Sequence, residues 1–152
     1  MDEWRRPSSR LLRLRRIEVG MVTLAAMVVL GFLAFGSIFA GVAGVVAAAF
    51  VGAAVERFVT RRFDAWGYAE REDDLLVRRG VMFARLSVVP YGRMQFIDVT
   101  AGPLERSFGL ATVRMHTAAA ASDARIPGLE RAEAERLRDR LAELGESRAA
   151  GI

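Results

Sequence analysis

His116 is the single histidine of the sequence, and it shares one face of an alternating stretch with Thr112 and Arg114. A histidine serves as a catalytic base when an acid orients it and a nucleophile lies within reach, and no Gly-x-Ser-x-Gly stands beside this one. Arg93 and Arg106 sit in turn motifs at strand ends. A guanidinium there can hold a phosphate or carboxylate by two parallel hydrogen bonds. The plainer reading pairs them with Asp98 and Glu105 to fix a loop. Arg93, Arg106, Arg114 and His116 are therefore the candidate ligand or partner contacts, through binding rather than catalysis. Asp73-Asp74, with Glu70 and Glu72, reads as a solvated turn and not as a metal site. The absence of cysteine removes disulfides, cysteine-ligated zinc, iron–sulfur clusters and thiol chemistry. Every basic residue is arginine, so no phosphate-binding glycine loop with its lysine exists. We expect no enzyme, no cofactor and no metal site.

The element that must place these residues is an uncharged run from Val19 to Val55. One helix over it would be roughly 55 Å long, against a bilayer core of about 30 Å. Two helices, Ile17–Phe35 and Ile38–Phe58, turning near Gly36 and Ser37, fit instead. A buried hairpin in a soluble protein would need far more apolar surface around it than the remaining residues supply. A cleaved signal peptide is also a poor match, because its apolar run is only about 7–15 residues. Gly20 and Gly31 on the first helix, with Gly41, Gly44, Ala48 and Gly52 on the second, form small-residue ridges for helix–helix packing. Ala34 extends the first of these.

Both ends of the run are basic, with Arg13, Arg15 and Arg16 before it and Arg57, Arg61 and Arg62 after it. The positive-inside tendency places both termini in the cytoplasm, with the membrane crossed twice. The net charge of +4 is segregated: residues 1–18 carry +3, residues 56–62 carry +2 and the rest −1. This basicity suits anionic headgroups and does not mark a nucleic-acid-binding face. Residues 1–16 read as a basic cytoplasmic segment, in which Met1–Arg10 is a mobile tail, Arg10–Arg16 begins the helix in the interface, and Trp4 is an interfacial anchor or simply exposed. Residues 59–68 read as a junction in which Phe63, Trp66 and Tyr68 meet the membrane edge.

From residue 69 the periodicity changes to two. Leu75–Arg79 and Val81–Val89 form a hairpin turning at Arg79-Gly80, Pro90-Tyr91-Gly92 is a turn, and Met94–Thr100 and Leu110–Thr117 are strands. At least five short strands in succession indicate an antiparallel barrel or sandwich. Ala118–Asp123 is a frayed strand or a loop. Leu129–Leu144 is an amphipathic helix with Leu137, Leu141 and Leu144 on one face, stopped at Gly145, which leaves residues 146–152 as a tail.

Four motifs in order sharpen this outline: Leu76–Gly80, Val89–Gln95, Gly102–Thr112 and Ile126–Leu129 ahead of a helix beginning Glu-Ala-Glu. Together, over about residues 65–145, they resemble the bacterial PH domain family of YdbS-like membrane proteins. The two-helix hairpin fits that family's layout. The resemblance implies a mainly-β PH-like barrel capped by its C-terminal helix, spanning residues 69–145 behind a transmembrane hairpin of residues 17–58. Phe96 departs from the pattern, since the family often has a polar residue there, commonly histidine. Two functions follow. One is assembly, as a homo-oligomer or with a larger membrane protein containing repeated PH-like domains; the other is sensing of anionic lipid or a small ligand at the membrane surface.

Overall fold

The computed structural model describes residues 3–33, 36–118 and 123–151. The expected end of the first span at Phe35, its small residue Ala34 and the stretch 119–122 lie outside the described residues. The chain divides into two compact units, Leu12–Arg61 and Met1–Leu11 with Arg62–Ile152.

The first unit is the helical hairpin, formed by α1 (Ser9–Leu33) and α2 (Ile38–Asp64). Their 25 and 27 residues correspond to roughly 37 and 40 Å, enough to cross a bilayer core. Both helices run further than the apolar residues alone. Arginine and leucine are good helix formers, and the Ser8 hydroxyl accepts the Arg10 N–H (3.3 Å) as an N-cap does, which carries α1 back to Ser9. The helices run antiparallel. A Cβ at Gly52 would strike the Thr23 side chain, one at Gly44 would lie 3.5 Å from Leu30, and Gly31 faces Val45. Gly41 is buried and Ala48 half-buried on the same side of α2. Gly20 differs from expectation: it is exposed and nothing lies within 4 Å of where its Cβ would be. Arg16 pairs with Glu56 (3.5 Å) and donates to Thr60 (3.4 Å), so Arg13, Arg15 and Arg16 share one end of the hairpin with Arg57 and Arg61. Elsewhere Val22, Leu24, Phe32, Phe39 and Phe50 are 62–85% exposed, a surface that water would not tolerate and lipid would.

The second unit is built from two three-stranded antiparallel sheets. One has the order β1 (Gly67–Glu70), β2 (Asp74–Arg79), β3 (Arg85–Pro90), and the other β4 (Met94–Thr100), β5 (Leu110–Thr117), β6 (Ala124–Glu130). The inner faces share one core of Tyr68, Leu75, Val77, Val89, Val113, Met115 and Ile126. A C-terminal helix, α4 (Arg131–Ala149), buries Ala134, Leu137 and Leu141 in that core at i, i+3, i+7 spacing. The connection between β4 and β5 contains a short helix, α3 (Pro103–Ser107), whose motif has a simple physical basis. Pro103 opens it, Glu105 turns back to accept the Gly102 N–H (2.9 Å), and Gly109 closes it at φ +67°. The other Glu105 oxygen accepts the Thr112 hydroxyl (3.1 Å), which locks α3 to β5.

Four expectations change. Residues 3–8 are docked on the domain, not mobile: Arg5 and Tyr68 exchange backbone hydrogen bonds (2.8 and 2.9 Å) on the free edge of β1, and Ser8 N–H donates to Gly128 O (2.7 Å). Trp66 and Tyr68 are core residues, 9% and 1% exposed, so they do not face the membrane edge; Phe63 alone of the three lies on α2. Tyr68 was misassigned because β1 begins at Gly67, only two residues after α2. Residues 81–84 are a loop, and β3 starts at Arg85. Finally, Gly145 lies inside α4 and does not end the helix, so most of the expected tail is helical.

Candidate functional site

The outer face of the β4–β5–β6 sheet gathers two of the four candidate contacts. Strand register sets Phe96 opposite His116, and Arg114 between Asp98 on β4 and Arg125 on β6. The Phe96 and His116 rings stack with centroids 4.2 Å apart and planes 16° from parallel. His116 Nδ1 lies 3.2 Å from Asp123 Oδ2, and Nε2 lies 3.7 Å from Asp98 Oδ2. The second Asp123 oxygen accepts the Thr117 N–H (2.9 Å). Phe96, the residue that departs from the motif pattern, thus covers the imidazole. The half-buried His116 ring is held between the Asp98 and Asp123 carboxylates.

Arg93 and Arg106 are not brought to this face or to each other. They flank opposite ends of β4, whose seven residues span roughly 20 Å. Arg106 Nε donates to the Ala101 carbonyl (3.1 Å), which fixes the loop before α3, although through a carbonyl and not through Glu105. Arg93 is exposed in the single 3-10 turn Tyr91–Arg93.

Sequence reasoning missed a second constellation that joins three distant segments. Glu133 on α4 accepts from Arg136 Nε (2.9 Å) and Nη2 (2.8 Å), from the Tyr68 hydroxyl (3.1 Å) and from Arg5 Nη1 (3.3 Å). Arg136 also donates to Glu70 (2.9 Å). The Arg136 hydrogen bonds hold the Glu133 carboxyl below its ordinary value, and the Arg136 pKa is raised in return, chiefly by its bond to Glu133. Burial, then the Glu133 charge, pushes the Tyr68 phenol up to about 12. Nearby, the Arg78 guanidinium lies 5.0 Å over the Trp4 ring, and Asp73 pairs with Arg148. The acidic cluster at residues 70–74 therefore anchors α4. Only the separation in sequence hid this, since each residue looked like ordinary surface charge.

Some apolar side chains remain exposed as well. Leu86 and Val88, on the outer face of β3, are 55% and 48% exposed, and β3 is an edge strand of its sheet. Among the described residues no group of three or more His, Asp or Glu is placed to hold a metal. Several of the domain's polar side chains, among them Glu70, Glu133, Arg136, His116 and Asp123, are engaged with one another, an arrangement suited to holding shape.

Comparison with known proteins agrees with this architecture. The family model described as bacterial PH domain matches residues 16–145, well over half the chain, and takes in both apolar helices as well as both sheets. The chain is 37% identical over 83 residues to the UPF0699 transmembrane protein YdbS of Bacillus subtilis (strain 168). That alignment covers 55% of this chain and 51% of the relative, so the chain spans about half the length of the curated relative it matches. No solved structure matches. A membrane hairpin joined to two antiparallel sheets and a C-terminal helix, matched along its length by one family, establishes that the chain belongs to the bacterial PH domain family.

Proposed function

We propose that the protein is a non-enzymatic assembly subunit, anchored in the membrane by its helical hairpin, with the PH-like domain and both termini on the cytoplasmic side. The observation that carries this reading is the free edge of β3 with its exposed Leu86 and Val88. A partner strand can add to such an edge by main-chain hydrogen bonds while its side chains cover the apolar face. The partner is a second copy of the chain or a larger membrane protein with repeated PH-like domains. The cytoplasmic assignment is supported by the arginines at one end of the hairpin.

Mass measurement of the full-length protein in lipid nanodiscs, alone and with candidate partners, tests the reading. The expected result is a complex that Leu86→Arg or Val88→Arg disrupts while the fold is kept. A strictly monomeric protein under all these conditions would overturn it. Anionic-lipid sensing through Arg93 and Arg106 is the weaker alternative, because the two guanidinium groups flank opposite ends of β4.

A further inference from the structure

The tip of the β2–β3 hairpin has an unusual combination of side chains. Val81, Met82 and Phe83 are 38%, 79% and 85% exposed in the five-residue loop 80–84. Gly80, which opens the loop, takes φ +104°, and a Cβ there would strike the Phe83 carbonyl, so this turn requires glycine. At these exposures the Met82 and Phe83 side chains stand out from the domain. Immediately below it, strand register sets Arg79 directly opposite Arg85. Like charges facing each other across an antiparallel pair destabilise a hairpin. Among the described residues neither arginine has a carboxylate partner.

Two features that cost the isolated domain stability, an apolar tip and a facing arginine pair, are both relieved at one kind of surface. Apolar side chains enter the boundary between acyl chains and headgroups, while arginines at the level above meet lipid phosphates. The chain has two membrane-crossing helices, and only Ala65 and Trp66 separate α2 from β1, a tether of roughly 7 Å. A bilayer is therefore always within reach, and the second contact is in effect intramolecular. We propose that the loop Val81–Phe83 inserts into the interfacial layer of an anionic bilayer, with Arg79 and Arg85 as its phosphate contacts. This would give the domain a second point of attachment besides the hairpin, and it uses residues separate from the outward pair Leu86 and Val88.

The test uses the full chain, which lacks cysteine. A single Phe83→Cys variant carrying an environment-sensitive fluorophore is reconstituted in nanodiscs of phosphatidylcholine alone or mixed with phosphatidylglycerol. Brominated acyl chains serve as the quencher, and Ser107→Cys is the control. The expected result is blue-shifted emission and bromolipid quenching at position 83 in the anionic discs, with little at position 107. Each of Arg79→Gln and Arg85→Gln should lower the inserted-to-free ratio about fivefold, the effect of one arginine at an anionic surface. A label at position 83 that stays water-exposed in both lipids would overturn the proposal. So would a label shielded from water without bromolipid quenching, which would mean a protein contact. Equal quenching with and without phosphatidylglycerol would overturn the assigned role of the arginines. Because assembly is read by mass through Leu86 and Val88, failure of either proposal leaves the other standing.

Discussion

Replacing Glu133 with alanine should loosen the domain far more than its surface location suggests. The substitution removes the acceptor of the Tyr68 hydroxyl, on a residue only 1% exposed, and stranding that group costs about 1–2 kcal/mol. It also breaks the forked pair with Arg136 and the longer contact to Arg5, whose side chains are 43% and 44% exposed; solvent-screened pairs of this kind contribute about 0.5 kcal/mol each. The total is about 2–3 kcal/mol, or roughly 10–15 °C in Tm for a domain of this size. Heat unfolding of the full-length protein in detergent, followed by the fluorescence of Trp4 and Trp66, would measure it. Glu135→Ala on the same helix loses only an exposed 3.3 Å pair with Arg131 and should shift Tm by about 2 °C or less. Equal shifts for the two variants would refute the reasoning. Acidity gives an independent reading. A carboxyl whose folded pKa is depressed stabilises the fold fully above its ordinary value of 4.5 and loses that contribution as pH falls through the lower folded value. The wild type should therefore lose stability in acid over a window that Glu133→Ala lacks.

The sequence contains two tyrosines, and burial, aided by nearby carboxylates, pushes both Tyr68 and Tyr91 up to about 12. Ultraviolet titration of the folded protein should show little phenolate between pH 10 and 11 and the ordinary midpoint near 10 after denaturation; since the folded state holds the protons longer, stability should fall as pH rises from 10 towards 12. Gly80→Ala should destabilise the β2–β3 hairpin by about 1–2 kcal/mol or more, measured by hydrogen exchange of β2 and β3 amides, because φ +104° and the Phe83 carbonyl both oppose a side chain. In the hairpin, Gly52→Val should separate the helices at Thr23 and lower resistance to denaturing detergent, whereas Gly20→Val, with open space around it, should leave that resistance unchanged.

Features set by local chemistry were readable in the chain. The span pair followed from hydropathy and flanking arginines, and the Gly102–Thr112 motif contains a capped short helix because Pro103, Glu105 and Gly109 each have a local task. The packing glycines from Gly31 to Gly52 were recognisable by spacing, whereas Gly20 had the same spacing but no neighbour. What escaped depends on contacts distant in sequence. Trp66 and Tyr68 beside arginines look the same whether they meet headgroups or begin a core strand, and only the pairing of Tyr68 with Val77 on one side and Arg5 on the other decides it. Arg5 likewise looked like part of a basic tail because Glu133 is 128 residues away. Gly145 resembles a helix stop, yet α4 runs through it to Ala149. The candidate contacts Arg93 and Arg106 were chosen by motif, and motif cannot reveal that β4 holds them apart.

The account rests on two spans whose ends return to one side, where residues 3–8 and the C-terminal domain form a single hydrogen-bonded unit. Single-cysteine labelling in intact bacteria tests this directly. Ser37→Cys, in the turn between the helices, should react with a membrane-impermeant maleimide from outside, whereas Glu3→Cys and Ala149→Cys should react only after the membrane is opened. Labelling of residue 3 and residue 149 from opposite sides, or shielding of residue 37 on both, would contradict the hairpin and with it the placement of the domain.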